Sequence, residues 1–369
     1  MSAFSNILVV SLEQAVAAPY ATRLLAEAGA RVIKIERPEG DFARAYDTAV
    51  NGESAFFVWL NAGKESLVLD VKHPGDKDLL SALIKKADVF IQNIRPGAIE
   101  RLGFDQATLA DLNPRLIVCN ISGYGSTGPA ADMKAYDFLV QAESGLCSVT
   151  GTPNNPMRCG TSICDISTGL TAYSEILRAL LDRSVSGRGQ VLDVSLFGVM
   201  SEWMSVPLAL HKYAGKTLTG TGLDHPQIAP YGAYSAQDGL IIIAVQNQRE
   251  WLQLCEVIGR PVLATDPRFD TIPHRVENRE ALKDELEAFF KLHSKVALAE
   301  ILNRGGIAYG RINNVADVWA HPALKTKEVV SSGNVATFVR RVCDEAQAQR
   351  AVPRLGEHSS AIRREFADI

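Results

Sequence analysis

Short apolar, β-branched runs alternate with amphipathic stretches along the first third of the chain. Residues 6–12 form one such run, residues 19–28 carry apolar side chains at helical spacing between a proline and Gly29, and residues 31–36 are apolar again before Pro38. Proline at a helix start and glycine just past its end are the expected punctuation, so the segment reads as a β-α-β unit. The pattern recurs. Residues 66–71 read as a strand, His73-Pro74-Gly75 opens a helix ending near Lys86, and residues 88–93 read as the next strand. A helical turn at 96–102 and a segment at 105–112 lead to a further buried strand at 115–122. Strands joined by crossover helices pair in parallel, which predicts an open α/β sheet with helices on both faces.

Further along, apolar residues at 166, 170, 173, 176, 177, 180 and 181 make a helical stripe over 165–183, which ends before Ser186-Gly187-Arg188-Gly189. Residues 191–196 then read as a strand and 200–213 as an apolar, aromatic helix. The Gly/Thr stretch 215–222 reads as a linker and marks a domain boundary. Beyond it a β-branched run at 239–245 and helices at 248–258 and 279–290 predict a small α+β unit over 223–320, followed by a strand at 333–339 and a polar tail.

Composition narrows the functional classes. The 369 residues are 47% hydrophobic and 22% charged, ordinary values for a folded chain and unlike a disordered one or a membrane bundle. A net charge of -4 without a long basic run argues against nucleic acid as a partner. The six cysteines, at 119, 147, 159, 164, 255 and 343, include no CxxC, and no histidine pair has ligand spacing, so no metal site is expected. Scattered thiols suit a reducing cytoplasm. The first ten residues have no basic n-region and no apolar stretch reaches the ~20 residues that span a bilayer, so neither export nor membrane association is expected.

Gly123-Tyr124-Gly125-Ser126-Thr127-Gly128 matches GxGxxG after a strand, with Glu143 downstream. A dinucleotide site needs a helix directly after the glycines, whereas Pro129 and a polar run follow, so the motif reads as a glycine loop, equally a plain turn or a substrate-facing loop. Asp165 opens the 165–183 helix, where an aspartate is favoured as an N-cap; the small, uncharged run Gly160-Thr161-Ser162-Ile163 before it also suits a carboxylate nucleophile. His73, His225 and His321 precede prolines, and no serine stands in a GxSxG elbow. Arg37, Arg95, Arg101 and Lys134 fall at strand ends or in connecting loops, where together they suit the phosphates of a large anionic ligand.

Several segments in order resemble the family III coenzyme A transferases, relatives of formyl-CoA transferase, carnitine CoA-transferase and alpha-methylacyl-CoA racemase. They include Ala17-Ala18-Pro19, Val32-Ile33-Lys34-Ile35-Glu36-Arg37-Pro38, Asn93-Ile94-Arg95-Pro96-Gly97, Arg101-Leu102-Gly103, Asn113-Pro114-Arg115-Leu116-Ile117, Tyr136-Asp137, Asp165 to Gly169 and Gly187-Arg188-Gly189-Gln190. The resemblance implies a large Rossmann-like domain built from both ends of the chain (1–214 and 325–369), the small middle domain, and an interlocked homodimer. It makes Asp165 the nucleophile and sets coenzyme A, as a substrate and not a tightly bound cofactor, along Val16, Arg37, Leu69, Asn93, Arg95, Arg101, Lys134 and Tyr136.

Two departures refine that expectation. Tyr136 stands where the racemase branch carries histidine, and a phenol of pKa ~10 is poorly matched to proton transfer at neutral pH, which disfavours racemization. The stretch 220–232 lacks the glycine-rich loop of formyl-CoA transferase, which counts against oxalate as acceptor. The expected reaction moves CoA from an acyl-CoA to a small C4 or C5 dicarboxylate such as succinate, itaconate or mesaconate, with His225, Arg158 and Gln246 as candidate pocket groups. The competing readings are a racemase and a non-catalytic CoA-binding protein whose Asp165 only caps its helix.

Overall fold

Six apolar strands, Leu8–Leu12, Arg31–Glu36, Glu65–Val68, Val89–Gln92, Ile117–Ser122 and Val191–Ser195, pair in parallel throughout. In the computed structural model, which describes residues 4–341 and 349–367, they lie in the order third, second, first, fourth, fifth, sixth. The order reverses between Leu8–Leu12 and Val89–Gln92. In open α/β sheets, a crevice for ligands forms at the carboxyl ends of the strands at such a reversal. Cys343 lies outside the described residues.

Helices cover both faces. Val9, Val32, Ile91 and Ile121 pack under Ala17–Glu27 and Ile163–Ser186, while Val10, Ile33, Ile35 and Phe90 pack under Pro74–Lys86 and the C-terminal helix Ser359–Glu365. The helix Pro74–Lys86 opens on proline, and Asp76 in its first turn and Lys85 and Lys86 in its last match the dipole at both ends. Ile163–Ser186 starts before the apolar stripe and stops at Gly187, which takes a left-handed conformation at φ 71°. Residues 200–213, expected as one helix, form the end of Leu196–Trp203 and nearly all of a second helix, Ser205–Ala214. Pro207 has no amide to donate inside a continuous helix but fits the first turn of a new one.

The contact between the two helices on the first face is unusually close. A Cβ on Gly169 would stand 2.4 Å from the Ala17 carbonyl oxygen, so only glycine allows this approach. Gly169 lies one helical turn after Asp165, and Ala17 begins the helix that follows the first strand. The packing therefore fixes Asp165 relative to the loop leaving that strand.

The chain divides into two units. One contains the parallel sheet and comprises the residues up to Leu146, Cys159–Val206 and the chain from Lys325 on; its last part includes the antiparallel pair Thr326–Ser331 and Asn334–Val339. The other comprises Cys147–Arg158 and Pro207–Leu324, with antiparallel strands Tyr231–Ala236, Gly239–Ala244 and Ala308–Arg311 and a core of Trp251, Phe269, Leu286 and Phe290. Residues 147–158 and 207–214, expected in the sheet-bearing domain, and 215–222, expected as a linker, thus belong to the second unit. The cause is local: the amides of Gly220 and Gly222 donate to the carbonyls of Ser148 and Gly151 at 3.0 and 2.5 Å.

Candidate active site

The sequence-predicted contact residues of the first unit follow the carboxyl ends of the parallel strands. Val16 precedes helix Ala17–Glu27, Arg37 follows the second strand, Leu69 the third, and Asn93 and Arg95 the fourth. Arg101 ends the short helix Ala98–Arg101, while Lys134 and Tyr136 lie between the fifth strand and helix Asp137–Glu143. Arg37, Arg101 and Lys134 are exposed and make no ion pair among the described residues; Arg95 is 3.6 Å from Asp132 on an equally open surface. Val16 and Leu69 instead bury their side chains. Asn93 spans the switch point, accepting from the Gln14 amide at 2.9 Å and donating to its carbonyl at 2.8 Å. Its side chain therefore fastens the loop after the first strand.

The glycine loop leads into no helix directly. Its turns run to residue 136 before helix Asp137–Glu143, with the Gly125 amide donating to Ser122 Oγ at 3.0 Å and the Gly123 carbonyl accepting from Phe197 N at 2.9 Å. A Cβ on Gly123 would meet that of Ala135 at 2.2 Å, so this glycine serves close packing of the loop on itself.

Asp165 lies in the first turn of Ile163–Ser186, three residues after the N-cap Ser162. Ser162-Ile163-Cys164-Asp165 has the spacing of a capping box, yet Ser162 makes no side-chain cap bond. Asp137 caps the helix instead: its Oδ1 accepts from the amides of Cys164 at 2.8 Å and Asp165 at 3.1 Å. Its Oδ2 accepts from Gln141 Nε2 at 2.7 Å, and Gln141 Oε1 accepts from the Cys159 amide at 2.8 Å. Asp165 keeps a half-buried carboxyl with no hydrogen bond or ion pair among the described residues. Burial, and then the nearby Asp137 charge, push its pKa up from 3.8 to about 7. Tyr46, a residue that sequence reasoning missed, lies in the same field: burial and the charges of Asp41, Asp165 and Tyr136 raise its phenol to about 12.

Beneath the loop after the first strand lies a fully paired set of charges. Glu13 is 2.7 Å from Lys64 and 3.6 Å from Lys34, Lys34 is 2.8 Å from Asp41, and Glu36 is 2.7 Å from Arg44. Asp41 Oδ1 also accepts from the amides of Ala15 and Ala43 at 3.2 and 2.9 Å. Ala15 adopts φ 61°, a conformation disfavoured for a residue with a Cβ, and the Asp41 hydrogen bond helps hold it there. Burial pushes the Glu13 carboxyl up, but the two lysines more than offset this and hold it below its usual range.

The candidate groups of the second unit are separately anchored. His225 stacks on Tyr231 at 5.2 Å, and its carbonyl accepts from Arg279 at 2.7 Å. Burial and the Arg279 charge lower the His225 pKa. The Gln246 amide donates to Glu250, and Arg158 lies in the stretch that precedes Cys159. Among the described residues, no cluster of three His, Cys, Asp or Glu side chains is arranged to hold a metal, and no helix is long and apolar enough to cross a membrane.

A parallel sheet with unpaired cations and an unpaired carboxyl at its carboxyl edge has the features of an enzyme for a large anionic substrate. Residues 4–359 match the model of CoA-transferase family III, and the chain belongs to that family as a CoA-transferase. It is 37% identical over 372 residues to an acetyl-CoA:oxalate CoA-transferase from Acetobacter aceti, covering 99% of this chain and 96% of the relative. A succinate–glutarate CoA-transferase from Agrobacterium fabrum is 34% identical, with the same two coverages. A crystal structure of a CAIB/BAIF family protein from Brucella suis superposes with a TM-score of 0.82 at 35% identity, covering 98% of each chain.

Proposed function

We propose that the protein transfers CoA from an acyl-CoA to a free dicarboxylate through covalent intermediates on Asp165. The observation that carries this reading is the Asp165 carboxyl, which is left unbonded because Asp137 performs the capping task. An ionised Asp165 oxygen attacks the thioester carbonyl; a C–O bond forms, the C–S bond breaks, and CoA thiolate leaves a mixed anhydride. The thiolate then attacks the aspartyl carbonyl, forming an aspartyl-CoA thioester and releasing the donor acid. An acceptor carboxylate displaces the thiolate to give a second anhydride, and thiolate attack on the acceptor carbonyl releases the new acyl-CoA and regenerates the aspartate. Each step exchanges one activated acyl bond for another, so no energy is lost to water. Amides of the 123–128 loop are candidates for stabilising the oxyanions of these steps.

Arg37, Arg101 and Lys134, exposed and unpaired, suit the phosphates of CoA, and Tyr136 suits the pantetheine end. Val16 and Leu69 contact the ligand through backbone, given their buried side chains, and Asn93 acts by holding the Gln14 loop. Names of the relatives favour short dicarboxylates as acids; because one of them is named for oxalate, oxalate joins succinate, glutarate, itaconate and mesaconate as a candidate acceptor despite the missing glycine-rich loop. A homodimer is supported by large apolar side chains left in solvent, including Leu181 at 71% exposure and Trp203 at 56%.

The test is Asp165→Ala assayed with succinyl-CoA and that acceptor panel. Transfer disappears for every acid while CoA binding by calorimetry persists. Undiminished transfer by the variant contradicts the reading.

A further inference from the structure

Asp137 has no role in the bond changes just described, yet its carboxylate sits between two helix N-termini. It begins helix Asp137–Glu143, and it accepts the second- and third-position amides of Ile163–Ser186, the bonds that an N-cap side chain normally accepts. Gln141 is fully buried and holds the other Asp137 oxygen, while its own carbonyl oxygen is fixed by the Cys159 amide. The donor to Asp137 is thus set in one orientation. In a free helix with the same Ser162-x-x-Asp165 sequence, Ser162 would bond the Asp165 amide and Asp165 would turn back to the Ser162 amide.

We infer that Asp137, oriented by Gln141, is a positioning residue for transfer: it substitutes for Ser162 as the cap of the long helix and so keeps the Asp165 carboxylate free to react. Its negative charge has a second effect. Among the described residues, the titratable groups that interact with Asp165 are Asp137 and Tyr46, and the first two turns of its own helix contribute no other charge. Asp137 thereby disfavours ionised Asp165, which makes that carboxylate more basic and more nucleophilic once formed.

This inference rests on Asp165 as the nucleophile, and the experiment separates the two. Asp137→Asn retains an oxygen that accepts both amides, removes the charge and gives up only the bond from Gln141 Nε2, whose NH2 then faces the asparagine NH2. The acid limb of its kcat/KM profile, measured with succinyl-CoA and a dicarboxylate, moves to lower pH by about half to one unit, because loss of a like charge lowers the Asp165 pKa. Asp137→Ala removes the cap as well; the Cys164 amide, left without an acceptor, then exchanges hydrogen faster in the folded protein, and kcat falls at least tenfold as Ser162 takes the Asp165 amide and Asp165 turns back to the Ser162 amide. If Asp137→Ala does not fold, the pH profile of Asp137→Asn decides alone. An acid limb unmoved in Asp137→Asn, or unaltered exchange in a folded Asp137→Ala, overturns the inference. In either case, loss of transfer in Asp165→Ala leaves the nucleophile assignment standing; undiminished transfer there removes both.

Discussion

Where the first two strands end, Glu13, Glu36 and Asp41 meet Lys34, Lys64 and Arg44, three anions against three cations. At the entrance of helix Ile163–Ser186, Asp165 and Asp137 lie close together, and neither has an ion pair among the described residues. Both regions take carboxylates out of water, and the consequences are opposite. The paired set holds Glu13 and Glu36 below their usual range, so they remain charged and fix the loops at 13–16 and 41–46. The unpaired site raises Asp165 to about 7, where it is basic enough to attack and still ionises near neutrality. Buried charge that supports a site is neutralised by its neighbours; the buried charge proposed to react is the one left without a partner.

The largest effect that would break this contrast is on turnover. Asp165→Asn loses at least roughly a thousandfold in transfer rate, in keeping with removal of a covalent nucleophile. It nevertheless melts above the wild type at pH 8. Folding raises the Asp165 pKa, so its contribution to stability declines as pH rises from about 4 through about 7, and asparagine avoids that loss. Melting curves of the two proteins converge near pH 4. A variant less stable than the wild type at pH 8 would place Asp165 among the supporting charges.

Lys34→Met tests the other region. With Lys34 gone, Asp41 loses its ion-pair partner and Lys64 alone faces both Glu13 and Asp41, which costs about 3–5 kcal/mol in denaturant unfolding. Gly169→Ala comes next, losing about 1–3 kcal/mol as the two helices are forced apart at the Ala17 carbonyl, with kcat reduced because Asp165 shifts relative to the 13–16 loop. In the wild type, kcat/KM rises with pH along an acid limb centred near 7; a limb near 4 would mean Asp165 has a partner in the free enzyme. The smallest effect belongs to Arg178→Ala. Its links to Glu175 and Asp182 lie at the surface, and neither unfolding nor transfer changes measurably.

Much of the frame was legible because it is local. Hydrophobic runs located the parallel strands, and Gly29, Pro74 and Gly187 marked helix ends that the structure shares to within a few residues. Asp165 at the start of a helix was equally visible, but its freedom from capping depends on Asp137, 28 residues earlier, and no spacing rule within the helix reveals that. Lys34 and Glu36 alternate with Ile33 and Ile35 as a solvent-facing set would, yet they are buried by helices and loops from elsewhere in the chain. Their partners Glu13 and Asp41 lie in loops and Arg44 in a four-residue 3-10 turn, segments too short for a periodicity to read. Tyr46 escaped for the same reason: it follows a four-residue turn of 3-10 helix, Phe42–Ala45, and approaches Asp165 only in the folded chain. Helix Asp137–Glu143 is seven residues long, too short to give a clear apolar stripe.

The most direct measurement follows oxygen atoms. Turnover with an acceptor dicarboxylate carrying heavy oxygen in its carboxyl groups should leave that label in the side chain of Asp165, found by mass spectrometry of the peptide containing it, because the aspartate recovers its second oxygen from the acceptor in every cycle. Repeated turnover with the Asp165 peptide unlabelled would contradict the account.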